Sequence, residues 1–287
     1  MIQVTDLSKG YNSGNVIHDI SINLSCGTIY GLIGSNGSGK TTMIRCLAGI
    51  YRPDTGTILM DENEVYDHVE AKSEIAYIDD IPEYNPLYSI HRQANYYGAF
   101  YENFSYELFE KLALEFNLDL KSNAHNLSLG QKKKLSLALA LARNPKYILL
   151  DEPENGLDNE ARIEFRKIIR EAADNGACIL LSSHDLSNIE DLCDEIIFMD
   201  AGKIIFYDTI DRLFENVSKW IVKSKKKKFS RAIVLEECED LLTVVTWGKK
   251  EETKKRLESE GAEIISFEKT NLSDAYLIFK KEGDYEK

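Results

Sequence analysis

The chain has 287 residues, 43% hydrophobic and 29% charged, with a formal net charge of −13 at pH 7. That length predicts one large domain with a smaller one appended, and the negative charge excludes a general nucleic-acid surface, because polyphosphate is repelled over most of the molecule. No apolar run approaches the roughly 20 residues of a membrane-crossing helix, and no basic start followed by an apolar core marks a secretory leader.

Thr28-Ile29-Tyr30-Gly31-Leu32-Ile33 is a short apolar run that enters a glycine-rich turn, the pattern of a buried strand. The next eight residues, Gly34-Ser35-Asn36-Gly37-Ser38-Gly39-Lys40-Thr41, fit G-x-x-x-x-G-K-[ST] in full. Glycines let the backbone take positive φ and turn its N–H groups inward as an anion cradle. A helix follows over Thr42 to Ala48, so its positive dipole end points at the cradle. Lys40 then supplies a cation for β- and γ-phosphates, and Thr41 a hydroxyl for Mg²⁺.

From Pro82 to Asn126 the texture changes to helical and aromatic, with Tyr84, Tyr88, Tyr96, Tyr97, Phe100, Tyr101, Phe104, Tyr106 and Phe109. Residues of this kind predict core, and their density allows an exposed aromatic surface for a partner. Leu127-Ser128-Leu129-Gly130-Gln131 follows and opens a helix, where Ser128 caps it or, with Gly130, binds a phosphate.

Tyr147-Ile148-Leu149-Leu150 and Ala177-Cys178-Ile179-Leu180-Leu181 are two further apolar strands. The helix between them, Ala161 to Ala173, places Phe165, Ile168, Ile169 and Ala172 on one face. Strand, helix, strand in this order predicts a parallel sheet with crossover helices. Asp151 and Glu152 end the first of these strands, where such sheets place their ligand crevice. There an Asp holds Mg²⁺ and the next carboxylate orients the attacking water. His184 ends the second, after Ser182-Ser183, and reaches the same edge to donate to a phosphoryl oxygen. His18, His68, His91 and His125 have no such setting and read as structural.

After about Asn216 the rhythm is that of a small α+β unit. It has strands at Leu241–Trp247 and Ala262–Phe267, a charged helix from Lys249 to Glu258 and a last helix starting near Ser273. The run Lys223-Ser224-Lys225-Lys226-Lys227-Lys228 reads as a solvated loop or strand edge, with contact to anionic lipid headgroups as the other reading. Cys26, Cys46, Cys178, Cys193 and Cys238 contain no C-x-x-C pair and read as reduced packing residues, not as a zinc site.

Together these segments resemble the nucleotide-binding subunits of ATP-binding cassette (ABC) transporters over roughly residues 1–215. The deciding stretch is Leu127–Gln131, similar to the family's LSGGQ signature and just upstream of the Walker B strand. The resemblance implies an α/β P-loop NTPase fold, with a parallel-sheet core, an antiparallel β subdomain and a helical subdomain at about 82–145. A small C-terminal α+β appendage, 216–287, completes it. Tyr11 matches the aromatic that stacks on adenine, Gly34 to Thr42 matches Walker A and Tyr147 to Asp151 matches Walker B. Glu152 matches the general base, Asn155-Gly156-Leu157-Asp158 the D-loop and His184 the switch histidine. Ser128, Gly130, Gln131 and Asp158 would meet the nucleotide of a second subunit. Two departures stand out: Leu129 replaces a signature glycine, and Asp80 stands where the Q-loop glutamine is expected, a shorter and charged group near Mg²⁺.

The resemblance further implies ATP and Mg²⁺ as ligands, and head-to-tail closure of two ATPase subunits as a homodimer or pseudo-symmetric heterodimer. It implies a transmembrane permease on a separate chain, and a cytoplasmic location at the inner face of the membrane through that permease. The ending Asn271–Leu277 resembles bacterial exporters of the ABC-2 class. Two alternatives remain open. One is a soluble ABC ATPase acting on nucleic acid or ribosomes, which usually shows tandem cassettes, coiled-coil insertions or zinc cysteines. The other is a nucleotide-sensing regulator with little turnover, opposed by Glu152 and His184 and kept open by Asp80.

Overall fold

The structure, a computed structural model, describes residues 1–11, 14–186 and 189–282. The chain divides into two compact units, Met1–His184 with Ala201–Lys203, and Asp185–Asp200 with Ile204–Lys287.

The first unit opens with β1 (Ile2–Tyr11), β2 (Gly14–Leu24) and β3 (Ile29–Ile33), followed by α1 (Lys40–Leu47). Next come β4 (Thr55–Met60), β5 (Asn63–Glu64), α2 (Val69–Ser73) and β6 (Ile75–Ile78). The helical segment holds α3 (Ile90–Gly98), α4 (Tyr106–Glu115) and α5 (Leu129–Leu141). β7 (Tyr147–Leu150), α6 (Asn159–Asp174) and β8 (Cys178–Ser183) complete the unit.

Two sheets organise these elements. β2, β1, β4 and β5 are neighbours in that order, and each pairing is antiparallel. Ile2 and Val4 are buried while Gln3 and Thr5 are not, the alternation of a sheet with one covered face. β3, β8, β7 and β6 form a parallel array in that order. β3 and β7 are buried throughout, and β6 and β8 except for the half-buried Tyr77 and Ser183, as parallel strands covered on both faces should be. α6 packs through Phe165, Ile168, Ile169 and Ala173, with the expected Ala172 only half-buried.

The helices of this segment run from Ile90 to Leu141, and its aromatics divide. Tyr84, Phe104 and Phe109 are buried, while Tyr96, Phe100 and Tyr106 are exposed. The Tyr84 hydroxyl lies 2.9 Å from the Lys132 carbonyl and 2.7 Å from the Ser136 hydroxyl, which binds the segment's entry to α5.

The second unit comprises β9 (Glu195–Asp200), β10 (Lys203–Thr209), α7 (Ile210–Asn216), β11 (Val217–Lys223) and β12 (Ala232–Cys238). After them come β13 (Leu241–Trp247), α8 (Lys250–Ser259), β14 (Glu263–Glu268) and α9 (Leu272–Glu282). β12, β13, β11 and β14 make an antiparallel sheet over a core of Trp220, Val222, Phe229, Leu242, Val244 and Leu257. This sheet and its two helices lie within the 216–287 range of the expected appendage, of which residues 283–287 lie outside the described ones. The compact division falls earlier than 215, after His184. Within the second unit, Phe198 of β9 meets Tyr276 of α9 edge-on, with ring centroids 5.4 Å apart.

Candidate functional site

Sheet register decides which residues can meet. In the parallel array Ile33 pairs with Ser183, Leu150 with Leu181 and Ile78 with Leu150. The four strands therefore end at one edge, and Gly34, His184, Asp151 and Asp79-Asp80 all leave the sheet there. Ligands of open α/β sheets bind at that carboxyl edge.

The loop from Gly34 to Thr41 joins β3 to α1. Gly37 and Gly39 hold φ of 83° and 106°, a region costly for any residue with a Cβ, which is why the motif requires glycine at these turns. α1 begins on Gly39 with no side-chain cap and no acid in its first turn. By contrast α2 to α7 all carry a side-chain cap, from His68, Ser89, Ser105, Ser128, Asp158 and Thr209. Uncapped first-turn amides need an acceptor, and an anion at the helix axis supplies it. Lys40 crosses the loop. Its ammonium donates to the Gly34 carbonyl at 2.8 Å and to the Ser35 carbonyl at 3.4 Å. Burial lowers the Lys40 pKa, an effect opposed by the charges of Glu152 and Asp151. The Tyr11 hydroxyl lies 3.4 Å from the Thr42 hydroxyl, so this exposed ring stands beside the start of α1.

The acids are held by a residue that the sequence alone does not single out. The Ser182 hydroxyl, fully buried, donates to Asp151 Oδ1 at 2.7 Å and accepts the Glu152 N–H at 2.9 Å. The signal was present in outline, as a serine interrupting an apolar buried strand, but its meaning depends on register. Glu152 has φ of 47°, the left-handed region, which costs a side-chain-bearing residue roughly 1–2 kcal/mol. Its carboxylate lies between two groups: Oε2 is 2.9 Å from His184 Nδ1 and Oε1 is 3.8 Å from Lys40 Nζ. Glu152, His184 and the phosphate-loop lysine are thus brought together.

Ser128, Gly130, Gln131 and Asp158 form a second group. Ser128 and Gln131 make a reciprocal capping box at the start of α5, and Asp158 caps α6 through the Ala161 N–H at 2.8 Å. A Cβ on Gly130 would stand 2.8 Å from the Gly156 carbonyl, so the signature and the Asn155–Asp158 loop pack back to back. The two groups are joined by Lys133, a second residue missed in the sequence. It donates to the Glu152 carbonyl at 2.6 Å and to Asp80 Oδ1 at 3.0 Å.

The oxygen donors at this edge, the Thr41 hydroxyl and the Asp151 carboxylate, are the hard ligands that suit Mg²⁺. The uncapped amides and the Lys40 ammonium suit a polyphosphate. Among the described residues, no helix is long and apolar enough to cross a membrane.

A family model described as ABC transporter matches residues 17–155. The ABC transporter ATP-binding protein YtrB of Bacillus subtilis is 34% identical over 223 residues, 76% of this chain and 75% of that protein. The lantibiotic transport ATP-binding protein SrtF of Streptococcus pyogenes is 32% identical, covering 79% of this chain and all of the relative. The bacitracin transport ATP-binding protein BcrA of Bacillus licheniformis is also 32% identical, over 84% and 80% of the two chains. A solved ATP-binding subunit of an ABC transporter superposes with a TM-score of 0.69 at 30% identity, covering 74% of this chain and 91% of that one. With likeness of this extent added to a cradle and paired acids at one sheet edge, the chain belongs to the ATP-binding subunits of ABC transporters and is an ATPase.

Proposed function

We propose that this ATPase drives an exporter, with Glu152 as the general base and His184 as its partner at the γ-phosphate. The observation that carries the reading is the Glu152 carboxylate lying within 3.8 Å of the Lys40 ammonium and 2.9 Å of the His184 ring. A carboxylate so placed is beside the group that grips the terminal phosphate, where it orients a water for in-line attack. Gly34, Ser35, Asn36, Gly37, Ser38, Gly39 and Thr42 wrap the phosphates with Lys40, and Tyr11 stacks on the base. Thr41 and Asp151 would hold Mg²⁺, with Asp80 reaching the metal's water shell through its free oxygen. When bound, Mg²⁺ neutralises charge on the phosphates.

A second copy, or a related subunit, would close head to tail. Ser128, Gly130, Gln131 and Asp158 of each would then face the other's nucleotide. ATP favours that closed state and hydrolysis removes the bias. The permease is a separate membrane chain that holds this subunit at the inner membrane face, and export is read from the relatives named for lantibiotic and bacitracin transport.

Glu152→Gln tests the reading. It should abolish multiple turnover while ATP binding persists and an ATP-dependent dimer accumulates on size exclusion. Turnover at the parent rate would remove Glu152 from the chemistry.

A further inference from the structure

Three lysines follow the signature, Lys132, Lys133 and Lys134, and they are not alike. Lys134 reaches outward to Glu164 at 3.4 Å. Lys133 turns inward and keeps only 4% of its surface exposed. An ammonium taken out of water costs several kcal/mol unless charges and acceptors meet it. Both of its acceptors belong to the acid edge. One is Asp80 Oδ1, and the other is the main-chain carbonyl of Glu152.

The Glu152 carbonyl belongs to the residue whose left-handed backbone presents the base. Its N–H is already fixed by Ser182, and its carboxylate by His184. Lys133 therefore completes a clamp on Glu152, gripping the C=O while Ser182 grips the N–H. A strained φ persists only where the surroundings over-determine it, and these two bonds supply that constraint. The clamp also accounts for Asp80. An uncharged side chain at that position would leave the buried ammonium without a counter-charge, whereas the carboxylate gives it one at 3.0 Å.

We infer that Lys133 is a positioning residue for hydrolysis. Paired with Asp80, it holds the backbone of Glu152 so that the carboxylate faces the phosphate loop. It also ties that geometry to α5, the helix capped by Ser128. The inference rests on the assignment of Glu152 as the base.

The test uses the full chain with Mg-ATP and compares Lys133→Met, Lys133→Arg and Glu152→Gln. Lys133→Met should lower kcat on the order of 10- to 100-fold, the cost of misplacing a catalytic group by about an ångström. KM for ATP and calorimetric affinity for ADP should stay within about threefold, because the phosphate loop is untouched. Lys133→Arg, which keeps both charge and donors, should restore most of the rate. In the nucleotide-free protein, the imidazole ¹⁵N resonances of His184 should move in Lys133→Met and hold in Lys133→Arg, since they report the bond to Glu152. If Lys133→Met fails to fold, Lys133→Gln carries the same comparison with a polar head group. Parent-like kcat in the neutral variant overturns the inference. So does a loss of kcat matched by an equal loss of nucleotide affinity with unmoved His184 resonances. If Glu152→Gln itself turns over at the parent rate, the base assignment fails. If Glu152→Gln is inactive while Lys133→Met is parent-like, only the role of Lys133 fails.

Discussion

The N-termini of α1 and α5 are in opposite states. α1 starts on Gly39 with no side-chain acceptor for its first amides, whereas α5 starts on Ser128 inside a closed capping box with Gln131. The first terminus is incomplete without an external anion, and the second is satisfied by its own side chains. The difference separates a site that a single chain offers to a nucleotide from one that must exchange internal bonds for external ones. Such an exchange fits a surface that engages only when a second subunit arrives.

Breaking the first terminus should give the larger effect. Lys40→Ala removes the one ammonium that spans the loop, with its bonds to the Gly34 and Ser35 carbonyls. A charge-assisted contact to phosphate lost from a buried site is worth roughly 3 kcal/mol or more, about 100-fold in affinity. ATP titration by calorimetry should show that loss, and binding at parent affinity would disprove the loop's role.

Between the two termini lies Ser182, whose hydroxyl serves Asp151 and Glu152 together. Ser182→Ala leaves a buried carboxylate oxygen and a buried N–H without this partner. A buried polar group left unsatisfied costs about 1–3 kcal/mol, so urea unfolding should show a lower midpoint that corresponds to a loss of stability of that size. ATP turnover should fall with it, while ADP affinity changes little. An unchanged midpoint would show that other groups satisfy both atoms.

How much of this was readable beforehand depends on how local each signal is. The phosphate loop lies in eight consecutive residues, and the acid pair and His184 each end an apolar run, so strand order alone brought them to one edge. Ser182 and Lys133 were not readable. A serine in a buried strand gains meaning only from the register that sets Leu150 beside Leu181, and three consecutive lysines give no sign of which one turns inward. The aromatic stretch shows the same limit. Its composition predicts core, yet Phe109 of α4 is buried while Tyr96 of α3 is exposed, because helix phase rather than residue type sorts them. β11 carries lysines within its apolar run and β12 ends in acids, so composition marks neither, whereas β13 is the unbroken run Leu241–Trp247, legible with the same bounds.

The second terminus gives the smallest and most discriminating effect. Ser128→Ala removes the acceptor for the Gln131 N–H, which costs a helix about 0.5–2 kcal/mol. Because the box sits at an exposed turn, water replaces part of the loss and the unfolding shift should fall at the low end of that range. ATP affinity of the isolated subunit should match the parent, since the uncapped terminus of α1 is unaltered. ATP-dependent dimerisation in a Glu152→Gln background should weaken, because the proposed dimer has this serine hydroxyl facing the partner's nucleotide. Equal dimer yields with and without Ser128 would mean that its hydroxyl is only a helix cap, and that the closed box at α5 does not open for a second nucleotide.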